Sequence, residues 1–149
     1  RMIIRHQLLQ PPRGVRIVIE NGSSGAVPVI VHGDEAKLER LLDNLISNAV
    51  KFSPDDGYVH VSVSQDGRDA EIRVRDEGPG LPPEQLEAIF LPFHRAPGAG
   101  LVPGIGLGLT IVKQISERHA GRVHVESVLA AGATFVVRLP LVVEPKAPH

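Results

Sequence analysis

The segment LLDNLISNAVKFS, residues 41–53, combines an apolar repeat with polar side chains that can bind phosphate and a cation. Asn44, Asn48 and Lys51 share one side of a predicted helix with Arg40 and Ser47. An amide oxygen suits a hard cation such as Mg²⁺, and an ammonium group suits phosphate. The stripe could hold a metal-bound polyphosphate or be an ordinary solvated helix face. Two asparagines in mid-helix are poor helix formers, which favours a functional role.

A second candidate is the motif DEGPG, Asp76 to Gly80, directly after a predicted strand. The Asp76 carboxylate could accept a hydrogen bond from a ligand amine. Gly78 and Gly80 would then let the ligand approach the backbone closely. The same residue types are typical of a simple turn, so the motif alone leaves both interpretations open.

A third candidate is PGIGLGL, in which Gly104, Gly106 and Gly108 alternate where a helix is predicted to begin. Free N–H groups and the positive end of the helix dipole suit an anion at such a position. A flexible hinge would also explain these glycines. The dinucleotide-binding pattern Gly-x-Gly-x-x-Gly fails because Leu109 occupies its last place, and no P-loop sequence occurs.

Composition argues against several classes of function. The chain has 149 residues and a net charge of −1, so it lacks the basic excess of a protein that binds nucleic acid through phosphate contacts. It has no cysteine, and its seven histidines are not at metal-ligand spacing. His60 and His124 are predicted to face outward, and His119 to interact with a helix dipole. No apolar run approaches the roughly 20 residues that cross a bilayer.

The elements that must position these residues are strands interleaved with helices. Asp34 is the predicted N-cap of the first helix, and Gly121 the predicted C′ residue of the last. Strands are predicted at 15–20, 27–33, 58–64, 70–75, 122–128 and 134–140, and helices at 34–52, 82–90 and about 106–121. This pattern predicts an α+β fold with a mixed, mostly antiparallel sheet covered on one face by about three helices. Residues 92–106, rich in Gly and Pro, are predicted to form a mobile loop.

The motifs also occur in a characteristic order. The segments NLISNAVKFS, DEGPG, IFLPFHR, GIGLGL and GATF resemble the N box, the Asp-x-Gly-x-Gly turn, the Phe box, the lid end and the last glycine motif of sensor histidine kinases. This resemblance covers about residues 15–140. It implies an ATP-binding catalytic domain with the Bergerat fold, a two-layer α/β sandwich, at 14–141. Residues 1–13 would be a linker remnant from a missing dimerisation domain, and 142–149 a flexible tail.

The resemblance implies a role for each motif residue. Asn48 would bind Mg²⁺, Asn44 and Lys51 would contact the phosphates, and Asp76 would accept a hydrogen bond from the adenine amino group. Arg95 would reach the γ-phosphate, so that Asn44, Lys51 and Arg95 would be the catalytic residues. The remaining ATP contacts would come from Phe52, Gly78, Gly80, Gly104, Gly106, Leu107, Gly108, Leu109 and Thr134. The final motif departs slightly from the family pattern, because Ala133 stands between Gly132 and Thr134.

No segment resembles the phosphoacceptor motif of this family. By resemblance, the chain would transfer the γ-phosphoryl group of ATP to a His on a separate dimerisation domain of the same protein, and would act indirectly on a response regulator. It would be the cytoplasmic portion of a membrane-anchored sensor kinase. One alternative is a non-catalytic nucleotide-binding module that binds a partner. Another is an ATPase of the same superfamily, in which a Glu stands where Asn44 does; an amide cannot act as that base, which disfavours hydrolysis.

Overall fold

The computed structural model describes residues 14–21, 31–92 and 108–141. The elements in chain order are β1 (Arg16–Asn21), α1 (Glu35–Phe52), β2 (Tyr58–Asp66), β3 (Asp69–Asp76), two 3₁₀ turns (Pro83–Gln85 and Ala88–Phe90), α2 (Gly108–Arg118), β4 (Arg122–Ser127) and β5 (Ala133–Pro140). The predicted tails at 1–13 and 142–149 lie outside the described residues. None of the described helices is long and apolar enough to cross a membrane.

The strands form one five-stranded sheet in the order β1-β2-β3-β5-β4. β1 pairs with β2 in parallel, with α1 as the crossover, and every other described pair is antiparallel. The tight turn between Asp66 and Asp69 makes β2 and β3 a hairpin, as the alternating pattern predicts. The prediction of a mixed, mostly antiparallel sheet is therefore confirmed.

The core lies between the sheet and a single layer of helices. The buried side of α1 carries the predicted apolar repeat: Leu38, Leu41, Leu42, Leu45, Ile46, Ala49 and Val50. From the sheet, alternate residues such as Val74 and Phe135 point into the same core. The Phe135 ring meets Phe90 edge to face, with centroids 6.2 Å apart. Both α-helices and the 3₁₀ turns thus share one hydrophobic core, which confirms the two-layer fold.

Charged side chains cover the opposite face of the sheet. Glu71 is buried there, where it pairs with Arg73 and with Arg138, whose Nη2 lies 2.7 Å from Glu71 Oε2. Arg73 also pairs with Glu126 at 3.1 Å. Val136, opposite Arg73 in the register, is fully buried on this face. We attribute its burial to the alkyl stems of the neighbouring long side chains.

The structure tests the predictions made for the cap of α1 and for residues 82–90, and in part the one made for residues 27–33. Asp34 caps α1, as predicted, and its carboxylate accepts the Lys37 N–H at 3.2 Å. The helix predicted at 82–90 is two 3₁₀ turns, because the segment is short and Pro82 and Pro83 have no N–H to donate. The strand predicted at 27–33 falls largely outside the described residues. Val31, which is described, makes an isolated antiparallel bridge to Leu141.

The end of α2 corrects a prediction. Gly121 is not the left-handed C′ residue; Ala120 takes that position, with φ of 58°. The N–H of Gly121 bonds the Ser116 carbonyl and that of Ala120 bonds the Glu117 carbonyl, which is the Schellman pattern. A glycine is still required at 121, because a Cβ there would overlap the carbonyl oxygen of Arg138 in β5.

Candidate functional site

The polar stripe of α1 borders the core. Asn44 and Asn48 are half-buried, whereas Arg40, Ser47 and Lys51 are exposed. Among the described residues, Asn44 Nδ2 is the one buried side-chain nitrogen or oxygen that lacks a hydrogen-bond partner. A buried N–H donor without an acceptor is destabilising, and native proteins rarely keep one without a reason. The Asn44 amide is therefore a candidate to donate to an acceptor from outside the described residues.

The first residue of α2 lies next to this amide. A Cβ added to Gly108 would stand 4.0 Å from Asn44 Cγ and Oδ1. The start of α2 is held by Thr110, whose hydroxyl donates to the Phe90 carbonyl at 2.9 Å. A helix start exposes unpaired N–H groups, which attract anions. Leu109 follows in the first turn and is half-buried.

Asp76 lies at the end of β3, with its side chain on the helix side of the sheet, and is only 3% exposed. Its Oδ1 accepts the Gly78 N–H at 2.8 Å, and the Ala133 N–H also donates to the carboxylate. Burial raises the pKa of Asp76 above its ordinary value of 3.8, while these two hydrogen bonds oppose the shift. A buried carboxylate with acceptor capacity left suits a ligand that donates an N–H.

Three glycines fix the loop around Asp76 by backbone packing. A Cβ on Gly78 would overlap the Phe52 carbonyl oxygen at the end of α1. One on Gly80 would overlap the Val128 carbonyl oxygen, and one on Gly132 the carbonyl oxygen of Asp76 itself. The sequence suggested that Gly78 and Gly80 admit a ligand; in the structure, the atoms nearest to them belong to the protein backbone. Their predicted contact with a base stays a prediction.

Helix α1 connects two parts of the candidate site, one at Asn44 and one at Asp76. Asn44, Asn48 and Phe52 are spaced four residues apart, so they follow one side of the helix. At 1.5 Å per residue, Asn44 and Phe52 lie about 12 Å apart along the axis. Phe52 is half-buried and its carbonyl touches the Asp76 loop, whereas Asn44 faces the start of α2. An elongated ligand could contact both ends at once.

Thr134 is not brought to this site. It pairs with Arg75 and Glu126 on the charged face of the sheet, whereas Asp76 pairs with Ala133 on the helix side. Since side chains alternate along a strand, neighbouring residues 133 and 134 face opposite ways. The Thr134 side chain therefore lies on the face of the sheet opposite to Asp76, and its contact with a base stays a prediction.

Two supporting residues were missed in the sequence. The Ser127 hydroxyl accepts the Leu81 N–H at 2.7 Å and donates to the Gly132 carbonyl at 2.8 Å, which ties the Asp76 loop to the β4–β5 turn. Glu77 accepts the Tyr58 N–H at 2.6 Å. The bonds Leu81–Ser127 and Tyr58–Glu77 join residues far apart in the chain. The only hint in the sequence was a polar residue beside a strand end.

The remaining predicted contacts cannot be placed. Arg95, Gly104, Gly106 and Leu107 lie outside the described residues. For a metal, no group of three His, Cys, Asp or Glu side chains comes together within the parts of the chain that the structure describes. A cation at this site would therefore need amide oxygen, such as that of Asn48, and ligands from a bound molecule.

Fold and site together define a two-layer domain with a polar helix stripe between a buried carboxylate and a helix start. The chain matches, over residues 33–143, the family model described as histidine kinase-, DNA gyrase B- and HSP90-like ATPase. It belongs to this family.

Sequence relatives narrow the class further. The chain is 42% identical, over 118 residues, to the signal transduction histidine-protein kinase/phosphatase MprB of Mycobacterium avium (strain 104), covering 76% of this chain and 23% of that protein. It is 45% identical, over 97 residues, to MprB of Mycobacterium bovis (strain BCG / Pasteur 1173P2), covering 64% and 19%. The chain thus spans less than a quarter of the length of these relatives.

Solved structures agree. A mycobacterial sensor histidine kinase MprB superposes with a TM-score of 0.74 at 33% identity, covering 86% of this chain and 83% of that one. Full-length ShkA in complex with AMPPNP gives 0.74 at 33%, covering 91% and 28%. The nucleotide-free catalytic domain of the histidine kinase ThkA gives 0.72 at 26%, covering 86% and 80%. The chain is therefore homologous to sensor histidine kinase catalytic domains, which confirms the resemblance seen in the motifs.

Proposed function

We propose that this chain binds ATP with Mg²⁺ and transfers the γ-phosphoryl group to a His on a separate dimerisation domain of a longer sensor kinase. The observation that supports the proposal is that two chemically different groups lie along α1, one at each end of the candidate site. A buried carboxylate lies at one end, and a buried, unpartnered amide donor beside a helix start lies at the other. The proposed reaction uses ATP and would take place in the cytoplasm.

The adenine would lie at the Asp76 end. Its exocyclic amino group is an N–H donor and would bond the carboxylate, which still has acceptor capacity beyond the Gly78 N–H. The ring would pack near Phe52 and the loop at Gly78 and Gly80. Since Asp76 is buried, this charge-assisted bond would be stronger than a bond at the surface.

The phosphates would lie at the other end. Asn44 Nδ2 would donate to a phosphate oxygen and so gain the partner that it lacks among the described residues. The N–H groups at the start of α2, from Gly108 and Leu109, would add further donors. Lys51, exposed on the same stripe, would supply positive charge, and Arg95 is proposed to do the same from outside the described residues.

Asn48 would bind Mg²⁺ through its amide oxygen, with phosphate oxygens and water as the other ligands. The bound cation would neutralise charge on the phosphates. The chain's own residues would hold the nucleotide and align its γ-phosphorus. A ring nitrogen of the incoming His would form a bond to phosphorus as the bond to the β,γ-bridging oxygen breaks, releasing ADP.

Asn44 also decides between transfer and hydrolysis. Hydrolysis by the related ATPases needs a carboxylate that activates water, and an amide cannot take the proton. Phosphoryl transfer depends mainly on positioning and charge neutralisation, so a site without that base can still serve a His nucleophile. We therefore expect negligible phosphate release by this chain alone.

The first test is a calorimetric titration with ATP, with and without Mg²⁺, on the intact chain and on Asp76→Ala. We expect saturable, Mg²⁺-sensitive binding that is lost in Asp76→Ala. Glu117→Ala is the matched control, because it removes an exposed carboxylate on α2 and should bind like the intact chain.

The second test supplies a purified His-bearing dimerisation domain and γ-labelled ATP. Label on that domain's His supports the proposal. Binding without any transfer would favour a non-catalytic module, and phosphate release that tracks the purified chain would favour an ATPase. Absence of ATP binding by the intact chain would overturn the proposal altogether.

A further inference from the structure

His119, just beyond the end of α2, connects two elements through its two ring nitrogens. Its Nδ1 lies 2.7 Å from the Ile115 carbonyl oxygen, and its Nε2 accepts the backbone N–H of Asp34 at 3.1 Å. A carbonyl needs a donor and an N–H needs an acceptor, so the ring must be neutral with its proton on Nδ1. Asp34 is the N-cap of α1. The ring therefore ties the end of one helix to the beginning of the other.

The chain before α1 is shaped to admit this ring. A Cβ on Gly33 would overlap His119 Cδ2 and would lie 2.6 Å from Nε2. Any other residue at 33 would push the ring away from the Asp34 N–H. The contact is therefore built from both sides, by a glycine and a histidine that are far apart in the chain.

The two helices run antiparallel, so the end of α2 meets the beginning of α1 and the start of α2 lies farther along α1. His119 meets Asp34, and Gly108 lies beside Asn44. These contacts are eleven residues apart on α2 and ten apart on α1, or about 15 to 17 Å in each case. If α2 slipped by one turn, its start would move about 5.4 Å from Asn44.

The other contacts between the helices are less directional. Val112 and Ile115 of α2 and Leu41 and Leu45 of α1 belong to one apolar core, and apolar burial has no directional preference of the kind that a hydrogen bond has. Thr110 ties the start of α2 to Phe90 rather than to α1. The His119–Asp34 bond, in contrast, is directional and joins the end of α2 to the N-cap residue of α1.

We propose that His119 is a positioning residue. Through the Asp34 backbone it sets the axial register of α2 on α1, and so holds the N–H groups at the start of α2 beside Asn44. For its ligand, this inference rests on the proposed function, since those groups would meet the phosphates of ATP. The register itself does not depend on any nucleotide.

Two substitutions separate the two hydrogen bonds of the ring. His119→Gln places an amide group near the position of Nε2, so its oxygen can accept the Asp34 N–H. His119→Asn places the amide near Nδ1, so it can bond only within its own helix. His124→Asn is the control, because that exposed histidine on β4 contacts Glu126 and not the helices. Thermal melts would show that each variant is folded at the assay temperature.

The first measurement needs no ligand. In NMR spectra of the intact chain, ¹⁵N shifts of the His119 ring should report the Nδ1–H form. A nuclear Overhauser effect should connect Gly108 Hα with the Asn44 side-chain NH₂. We expect this effect to be kept in His119→Gln and His124→Asn and lost in His119→Asn. An Nε2–H ring in the intact chain would overturn the proposal without any variant, and so would an unchanged effect in His119→Asn.

The second measurement compares ATP with adenosine, which lacks phosphates. His119→Asn should weaken ATP binding about tenfold, the effect of one lost or misplaced charge-assisted hydrogen bond, and leave adenosine binding within about twofold. His119→Gln should restore ATP binding. Equal weakening of both ligands would indicate general destabilisation and overturn the positioning role. If the intact chain bound neither ligand, the proposed function would fail, while the NMR comparison would still decide the register.

Discussion

The two ends of the candidate site are built in different ways. At the Asp76 end, backbone meets backbone: Gly80 packs on Val128 and Gly132 packs on Asp76, with no room for a side chain. At the Asn44 end, side chains project from a helix surface, and one buried donor is left without a partner. The first end is closely packed by backbone atoms, whereas the second end keeps an N–H donor that no acceptor among the described residues satisfies. Changes to the glycines of the first end should therefore cost stability, whereas loss of the Asp76 carboxylate or of the Asn44 amide should cost affinity.

Gly132→Ala should have the largest effect on folding. Gly132 has φ of 80°, and a Cβ there would overlap the Asp76 carbonyl oxygen. Left-handed strain and overpacking each cost about 1–3 kcal/mol, so we expect a loss of roughly 2–5 kcal/mol in the free energy of unfolding. Urea denaturation would measure it.

The matched control is Gly67→Ala in the β2–β3 turn. Gly67 has a similar φ of 62°, but a Cβ there would meet no atom within 4 Å. It should lose only about 1 kcal/mol, the cost of the left-handed conformation alone. Equal losses for the two variants would mean that the close backbone approach around Asp76 contributes nothing.

Asp76→Asn should separate stability from binding. Burial raises the pKa of Asp76, so the stability tied to this carboxyl is full below its ordinary value of 3.8 and is lost as pH rises through the raised pKa. Asparagine cannot ionise. The variant should therefore be more stable than the intact chain at pH 7, and its stability should fall less between pH 4 and neutrality. Stability curves in urea across about pH 4–8 would check the sign.

The same variant should bind ATP at least about tenfold more weakly, because a charge-assisted hydrogen bond is worth about 1.5–3 kcal/mol. Asp69→Asn, at the other end of β3 beside Arg138, is the control and should leave affinity within about twofold. A variant that is less stable at pH 7 yet binds ATP normally would contradict both the direction of the Asp76 pKa shift and the proposed bond from Asp76 to the adenine amino group.

Local signals in the sequence were sufficient for the elements and the helix stripe. The period of α1 and its Asp34 cap, and the alternation in β2 and β3, identify these elements without tertiary information. The face of Thr134 was not predictable in this way. Only the register with Arg75 shows that Thr134 lies on the face of the sheet opposite to Asp76.

Long-range partners were the other limit. Ser127 and His119 acquire their roles from Leu81 and Asp34, which the topology brings near. Likewise, the close approach of Gly78 and Gly80 to backbone atoms of the protein was not predicted from the sequence. The left-handed Ala120 gave no signal at all, since only glycine or asparagine normally marks that conformation.

Asn44→Ala, at the second end of the site, should lower ATP affinity without lowering stability. It removes the unpartnered Nδ2 and replaces a poor helix former, so the free energy of unfolding should rise by about 1 kcal/mol. ATP binding should weaken while adenosine binding stays unchanged. Ser47→Ala, exposed on the same helix, gains helix propensity only and should stabilise by about 0.5 kcal/mol without affecting ATP. A destabilised Asn44→Ala would show that the amide is needed for packing rather than for binding.

Ala120→Gly should have the smallest effect. Residue 120 follows the C-terminal end of α2, whereas the start of that helix lies beside Asn44. A left-handed alanine costs about 1 kcal/mol, part of which a glycine recovers before it loses entropy in the unfolded chain. We expect about 0.5 kcal/mol of stabilisation and no change in ATP affinity, measured by denaturation and calorimetry. Gly121→Ala, one residue on, should instead destabilise, because its Cβ would overlap the Arg138 carbonyl. Weaker ATP binding by Ala120→Gly would contradict this expectation. It would show that the C-terminal end of α2 affects the phosphate site through more than the His119 hydrogen bond.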